Sequence, residues 1–505
     1  MTNHLDSAAK SGLPFSTVIT GATVISPMGV DVMDIGISGE KVAALSAEGE
    51  LVKLGQRVID AKGLIATPGG IDPHVHASFK PPNFDLASGQ SALGPPEELS
   101  KAALFGGTTT LIDFSWVPPE GGVKNTLEES LRSWTGSCCC DFSFHINLRG
   151  DLTAETLAEV RWAIDQGFPS FKVFTTNVFP GHPVFKLEFG SLWELCKTTA
   201  IGGGIIAVHA EDDELVMHMY KRMEEEGTTH FSNMPQVHSK ISEDVSFRRV
   251  ISLAKNVPGC ALYMMHVSTA DGVAAIEEAR LQGLPIYGET LHQYALRSED
   301  EYLKSRGVLF HTYPSLHGHE DNAALWDGIS RNVISTFATD AVCTTFDLKT
   351  AGDRIDTVIG GNVGIEPRLA LVYEEAVVKR GLGLARFAEI TSTNAAKILG
   401  LYPKKGAIIV GGDADIVLLD PATPKVISAD LLHESDYTPW EGTRVSAWPV
   451  MTLLRGKVVV EDGKFHGDRS HGAVVPRKLE PSVHSGRVIE APFAFSANVG
   501  AAKSD

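Results

Sequence analysis

Gly69-Gly70-Ile71-Asp72-Pro73-His74-Val75-His76 follows directly on the apolar run Leu64-Ile65-Ala66. On an extended strand, residues two apart point to the same face, so His74 and His76 are placed to hold one metal ion together. Asp72-Pro73 marks the strand exit just ahead of them. The pair decides the fold if other strands deliver further ligands to the same end.

Working outward, short apolar runs alternate with helical patterns, which argues for parallel βα units. The strands are read at Thr109–Phe114, Phe142–Ile146, Ser170–Phe174, Gly204–His209, Ala261–His266, Pro285–Glu289 and Ile334–Asp340. Helical stretches intervene, among them Thr126–Trp134, Ala154–Gln166 and Asp271–Gln282. With the strand leading into His74 there are eight, the number that closes a (β/α)8 barrel. Chemistry in such barrels sits at the C-terminal strand ends. His74, His76, Lys172, His209, His266 and Asp340 stand at those ends.

The flanks have another texture. Before Thr67 and after Gly406 the chain reads as short β-type runs separated by glycine turns, such as Ala22–Ile25, Asp34–Ile37, Ala414–Leu419 and Met451–Leu454. Two distant β-rich pieces of like character are expected to pair into one small sandwich. The expected organisation is therefore an α/β barrel over 68–405, a discontinuous β-sandwich domain from 1–67 and 406–465, and an extended tail over 466–505 that is disordered or wrapped on a neighbouring subunit.

Composition narrows the function. A chain of 505 residues with 43% hydrophobic and 21% charged residues is an ordinary globular protein of more than one core. Lys plus Arg (44) against Asp plus Glu (62) leaves a formal charge of -18, with no basic patch, which argues against nucleic acid and anionic membranes as partners. The polar N-terminus and the lack of a long apolar run point to the cytoplasm. Six cysteines, three of them adjacent at Cys138-Cys139-Cys140, form neither a disulfide framework nor a C-x-x-C pair.

His209 and His266 each end a strongly apolar run. A single histidine there is ordinarily a satisfied core residue, but two at successive strand ends facing His74 favour metal ligation, and neutral imidazole suits zinc. Asp340 brings a carboxylate from the last strand. Its plainer reading is a helix N-cap. As a ligand that also faces water it would serve as general base. His317-Gly318-His319 repeats the H-x-H spacing with no apolar strand before it, and is read as a decoy. Lys172 is the difficult residue, because an ammonium cannot ligate a metal and would be repelled by one.

Gly70–His76, Gly106–Thr110, Ser170–Phe174, His209-Ala210-Glu211, His266-Val267-Ser268 and Thr391–Lys397 closely resemble the cyclic amidohydrolases, nearest to dihydropyrimidinases and hydantoinases. The resemblance runs from about residue 16 to 463 and is strongest in Gly364–Ala370 and in Lys405-Gly406 through Asp413–Ile416. It implies that Lys172 is N-carboxylated by CO2 and bridges two zinc ions. His74, His76 and Asp340 would complete one zinc site, His209 and His266 the other. A metal-bridging hydroxide would then open a cyclic amide, with Asp340 as general base and acid, and no organic cofactor. A homotetramer or homodimer is implied as well.

Departures concern the substrate. Asn177 stands where the family carries an oxyanion-binding tyrosine, Tyr313 replaces a small residue, and Ala341-Val342-Cys343 carries an apparent one-residue insertion. The loop Ala77–Asp85, with 89–96 beyond it, also differs. Asn177, Tyr313 and Asn362 are the candidate substrate contacts, and a ring other than plain dihydrouracil is expected. Ser78, where dihydroorotases carry arginine, disfavours that activity. An allantoinase or imide hydrolase stays open, as does a non-enzymatic scaffold of the same fold. The mononuclear deaminases share H-x-H but lack a bridging lysine.

Overall fold

A computed structural model describes residues 12–78, 94–118, 121–181 and 185–492. Eight parallel strands lie side by side in the order of the chain: Gly70–Asp72, Thr108–Trp116, Asp141–Asn147, Ser170–Phe174, Ile205–His209, Ala261–Met264, Ile286–Leu291 and Ile334–Ala338. Every one overlaps a run read from the sequence. The ring closes at its C-terminal end, where Val75 and His76 pair in parallel with Ala341 and Val342. Asp72 reinforces that seam by accepting from the Thr339 amide (3.2 Å) and hydroxyl (2.6 Å).

Strand interiors are buried on both faces, as a parallel sheet covered by helices requires. Lys172 and Phe171, adjacent and on opposite faces of their strand, are both buried. The α/β barrel expected from the alternation is thus the fold.

The flanking runs, from which the sequence predicts a small sandwich, pair in one continuous nine-stranded sheet. Ile65–Pro68 lies between Phe15–Ser26 and Ile416–Asp420, so the two ends of the chain meet on either side of the strand that feeds the barrel. The first strand carries one bulge, between Ile19 and Ala22. Lys405 ties this sheet to the barrel. Its ammonium, buried, meets Asp415 at 2.7 Å, Asp413 at 3.0 Å and Asp141 on a barrel strand. These three carboxylates resemble a cation site, and the lysine fills it.

The tail departs from expectation over its described part. Residues 466–492 pack on the chain's own barrel, where Val475, Leu479, Val483 and Ile489 join a core with Ile205, Ala261 and Tyr287 at the N-terminal strand ends. Arg477 enters that core and donates to the hydroxyls of Ser143 (2.9 Å) and Ser170 (2.7 Å). Counting prolines and serines missed this, because the tail's four apolar anchors stand singly among polar residues, outside any long helix or strand. No described helix is long and apolar enough to cross a membrane.

Candidate active site

The strand ends converge on one cavity of about 110 Å³, lined among others by His74, His76, Lys172, His209, His266 and Asp340. The four imidazoles form a chain. Ring centroids are 5.3 Å apart for His76 and His74, 5.5 Å for His74 and His266, and 4.5 Å for His266 and His209. Asp340 Oδ1 stands 3.1 Å from His74 Nε2 and 2.9 Å from His76 Nε2. Such spacings suit ligands around a small cation, since tetrahedral bonds of ~2.1 Å put neighbouring ligand atoms about 3.4 Å apart.

Backbone geometry shows how the ends are aimed. His266 (φ 40°) and Asp340 (φ 49°) both adopt the left-handed region, each two residues beyond its strand. That conformation is uncommon outside glycine and clusters where a side chain must be re-aimed for function.

Buried carboxylates orient the rings from behind. His74 Nδ1 donates to Glu289 Oε1 at 2.9 Å, leaving Nε2 turned to Asp340. His209 Nε2 donates to Glu211 Oε2 at 2.8 Å, and His238 Nδ1 donates to the other Glu211 oxygen at 2.8 Å. Partners of this kind select the tautomer of a metal-binding histidine and raise its basicity. Burial depresses the pKa of His209 and His266, keeping them in the neutral form that ligates. Burial acts on His74 too, yet Asp340 and Glu289 outweigh it and lift that ring to about 9. Asp340 feels burial upward and His74 and His76 downward, and the histidines hold it well below the ordinary carboxylate range.

Lys172 is buried with no ion pair among the described residues. Its Nζ lies 3.1 Å from Met265 Sδ, 4.6 Å from the Phe174 ring centroid and 5.5 Å from that of Phe114. Burial, only partly opposed by Asp340 and Glu289, brings its pKa down to about 8.

The three candidate substrate contacts fare differently. Tyr313 lines the cavity. Asn177 does not. Its Oδ1 accepts from the amides of Phe185 (3.3 Å) and Lys186 (3.1 Å), which pins the loop, so it is a poor stand-in for an oxyanion-binding tyrosine. Asn362 is also turned away, its Nδ2 donating to the backbone carbonyls of Leu309 (2.7 Å), Gly361 (3.2 Å) and His311 (3.2 Å). Of the second H-x-H pair, His319 is exposed beside Asp300 and His317 is buried, and neither lines the cavity. The differing loop over 79–93 lies outside the described residues.

Sequence reasoning passed over several residues. Glu289 closes the run Pro285–Glu289 read from the sequence, as His209 and His266 close theirs, and the same signal would have found it, although the strand itself continues to Leu291. Trp116, Phe179 and Phe185, which make one wall apolar, carry no local signal because aromatic residues also fill cores.

A parallel barrel with imidazoles, a carboxylate and a buried lysine gathered at its C-terminal mouth defines the metal-dependent barrel hydrolases. Residues 65–459 match the model of the amidohydrolase family, and the chain belongs to that family. It is 34% identical over 473 residues to a D-hydantoinase of Streptomyces coelicolor, covering 91% of this chain and 98% of that one. It is 31% identical to a dihydropyrimidinase of Rattus norvegicus, covering 91% and 88%. The crystal structure of dihydropyrimidinase from Brevibacillus agri superposes with a TM-score of 0.86 at 30% identity, covering 92% of this chain and 99% of that one.

Proposed function

We propose that this chain hydrolyses the ring amide of a hydantoin, dihydropyrimidine or related cyclic imide, using a pair of zinc ions. One observation carries the reading: six side chains from five strand ends meet in one buried cavity. His74, His76 and Asp340 would hold one ion, and His209 and His266 the other. Lys172, once its amine has added CO2, would be an anion shared by both. Such a pair supplies Lewis acidity and a water made acidic enough to react near neutral pH.

The protein's own groups do the rest. Asp340, kept ionised, accepts the proton of the attacking water and returns it to the departing ring nitrogen. Glu289 and Glu211 hold His74 and His209 in the tautomers that present the correct nitrogen. Trp116, Phe179 and Phe185 exclude water and receive an apolar ring substituent. Lys172 is the only lysine or arginine among the described lining residues, which favours an uncharged ring over a carboxylated one such as dihydroorotate. Assembly as a homotetramer or homodimer in the cytoplasm belongs to the same reading.

The test is a substrate panel of dihydrouracil, 5-substituted hydantoins, allantoin, succinimide and phthalimide, with ring opening followed by ultraviolet absorbance on zinc-loaded protein. Opening of a neutral 5-substituted hydantoin is expected. Failure of every ring at full zinc loading refutes the proposal, and protein that takes up no zinc returns the chain to the scaffold reading.

A further inference from the structure

Lys349 is a completely buried lysine at the end of the short helix Phe346–Lys349. Its Nζ donates to three backbone carbonyls, His311 at 2.8 Å, Ile359 at 2.7 Å and Gly361 at 2.7 Å. No carboxylate pairs with it among the described residues. An ammonium has three protons, and all three are used. The carbonyls take the place of a counter-ion.

Those acceptors come from two separate segments, and both segments wall the cavity. Thr312 and Tyr313 follow His311, while Ile359, Gly360 and Gly361 form the other segment. Where they meet, the Tyr313 ring lies flush on Gly360. A Cβ at position 360 would stand 2.1 Å from Tyr313 Cε2 and 2.2 Å from Cδ2, closer than any side chain permits. Tyr313 is supported from behind by His311 and His238, at ring distances of 4.7 Å and 4.9 Å. Neither segment belongs to a regular strand ladder. The Asn362 amide also links them, donating to the Gly361 and His311 carbonyls at 3.2 Å each, but only the Lys349 ammonium reaches all three carbonyls. Without it, the Ile359 carbonyl loses its side-chain donor and the other two share one amide nitrogen.

We propose that Lys349 is a positioning residue that clamps these two segments together, and that the Tyr313–Gly360 contact it holds sets the width of the slot receiving the ring substituent. The substituent part of this inference rests on the ring-opening reading above, whereas the clamp itself does not. Lys349 touches none of the six candidate ligands. Its loss is therefore expected to act on substrate fit ahead of metal content.

The test uses full-length, zinc-loaded protein with hydantoin and 5-phenylhydantoin as probes. In Lys349→Met the ratio of kcat/KM for 5-phenylhydantoin over hydantoin falls about tenfold, carried by KM, as expected for lost ground-state fit. Gly360→Ala, which displaces the Tyr313 ring with Lys349 intact, produces the same discrimination and serves if Lys349→Met does not fold. Hydrogen exchange supplies a readout free of the reaction: peptides over 309–316 and 358–363 lose protection in Lys349→Met, while those over 205–209 keep it. Unchanged protection in those two peptides, or equal loss for both rings in both variants, overturns the proposal. If the unmodified protein opens neither ring, the ring-opening reading fails on its own and the exchange result still decides the clamp.

Discussion

Removing the Lys172 amine is the perturbation that bears most directly on the metal pair. Carboxylation needs the neutral amine, since only the free lone pair attacks CO2. With a pKa of about 8, Lys172 is neutral in about one molecule in eleven at pH 7, against about one in 2,500 for a solvent-exposed lysine at ~10.4. The advantage of roughly 230-fold comes from burial among Phe114, Phe174 and Met265. Burial lowers Lys349 as well, but three backbone carbonyls occupy its Nζ, whereas Lys172 lines the cavity beside the candidate ligands. The assay has two arms. Intact-mass and 13C-bicarbonate NMR measurements on zinc-loaded protein are expected to show one added CO2 per subunit, absent from Lys172→Ala. Zinc content is expected to fall from close to two per subunit to one or none in the same variant, because the shared anion is gone. Two firmly bound zinc ions in Lys172→Ala, or a loaded unmodified protein carrying no added CO2, would refute the reasoning.

Further outcomes follow from the groups around the site. Glu289→Gln takes the acceptor from His74 Nδ1 and is expected to weaken zinc binding by about 10- to 100-fold in chelator competition. Because His74 is lifted to about 9 in the metal-free site, protons compete with the ion below that pH, and affinity should fall about tenfold for each unit of acidification from that group alone. Competition titrations at pH 6 and pH 7 measure the slope, and a flat response contradicts the assignment. Away from the site, burial would raise Asp413, but Lys405 and Lys41 hold it below its ordinary 3.8. A depressed carboxylate adds stability above pH 3.8 that disappears as pH falls through its lowered value. Asp413→Asn should therefore cost about 1–3 kcal/mol at pH 7 in urea unfolding, and progressively less in acid.

Much of the fold was legible in strand ends and their spacing. Ser170–Phe174 was read to the residue, because a buried strand bounded by turns has an unambiguous apolar run. His209, His266 and Asp340 were picked out as candidates for a related reason: a polar residue closing an apolar run is costly to bury unless something pairs with it. Lys172, at the centre of its strand, became a candidate only through the family resemblance. Glu211 was quoted from the sequence only as part of a motif, and His238 not at all. Their hydrogen bond joins residues 27 positions apart on different elements, and nothing local announces it.

By itself the sequence determined the eight-unit α/β barrel, since periodicity and burial are properties of short segments. The tertiary structure alone decided which atoms face the cavity. It turned Asn177 and Asn362 to backbone partners, laid the tail under the chain's own barrel, and placed the Lys349 ammonium where carbonyls from two distant loops converge. Those outcomes depend on where remote backbone dipoles and apolar surfaces come to rest, and that is fixed only when the whole chain has packed.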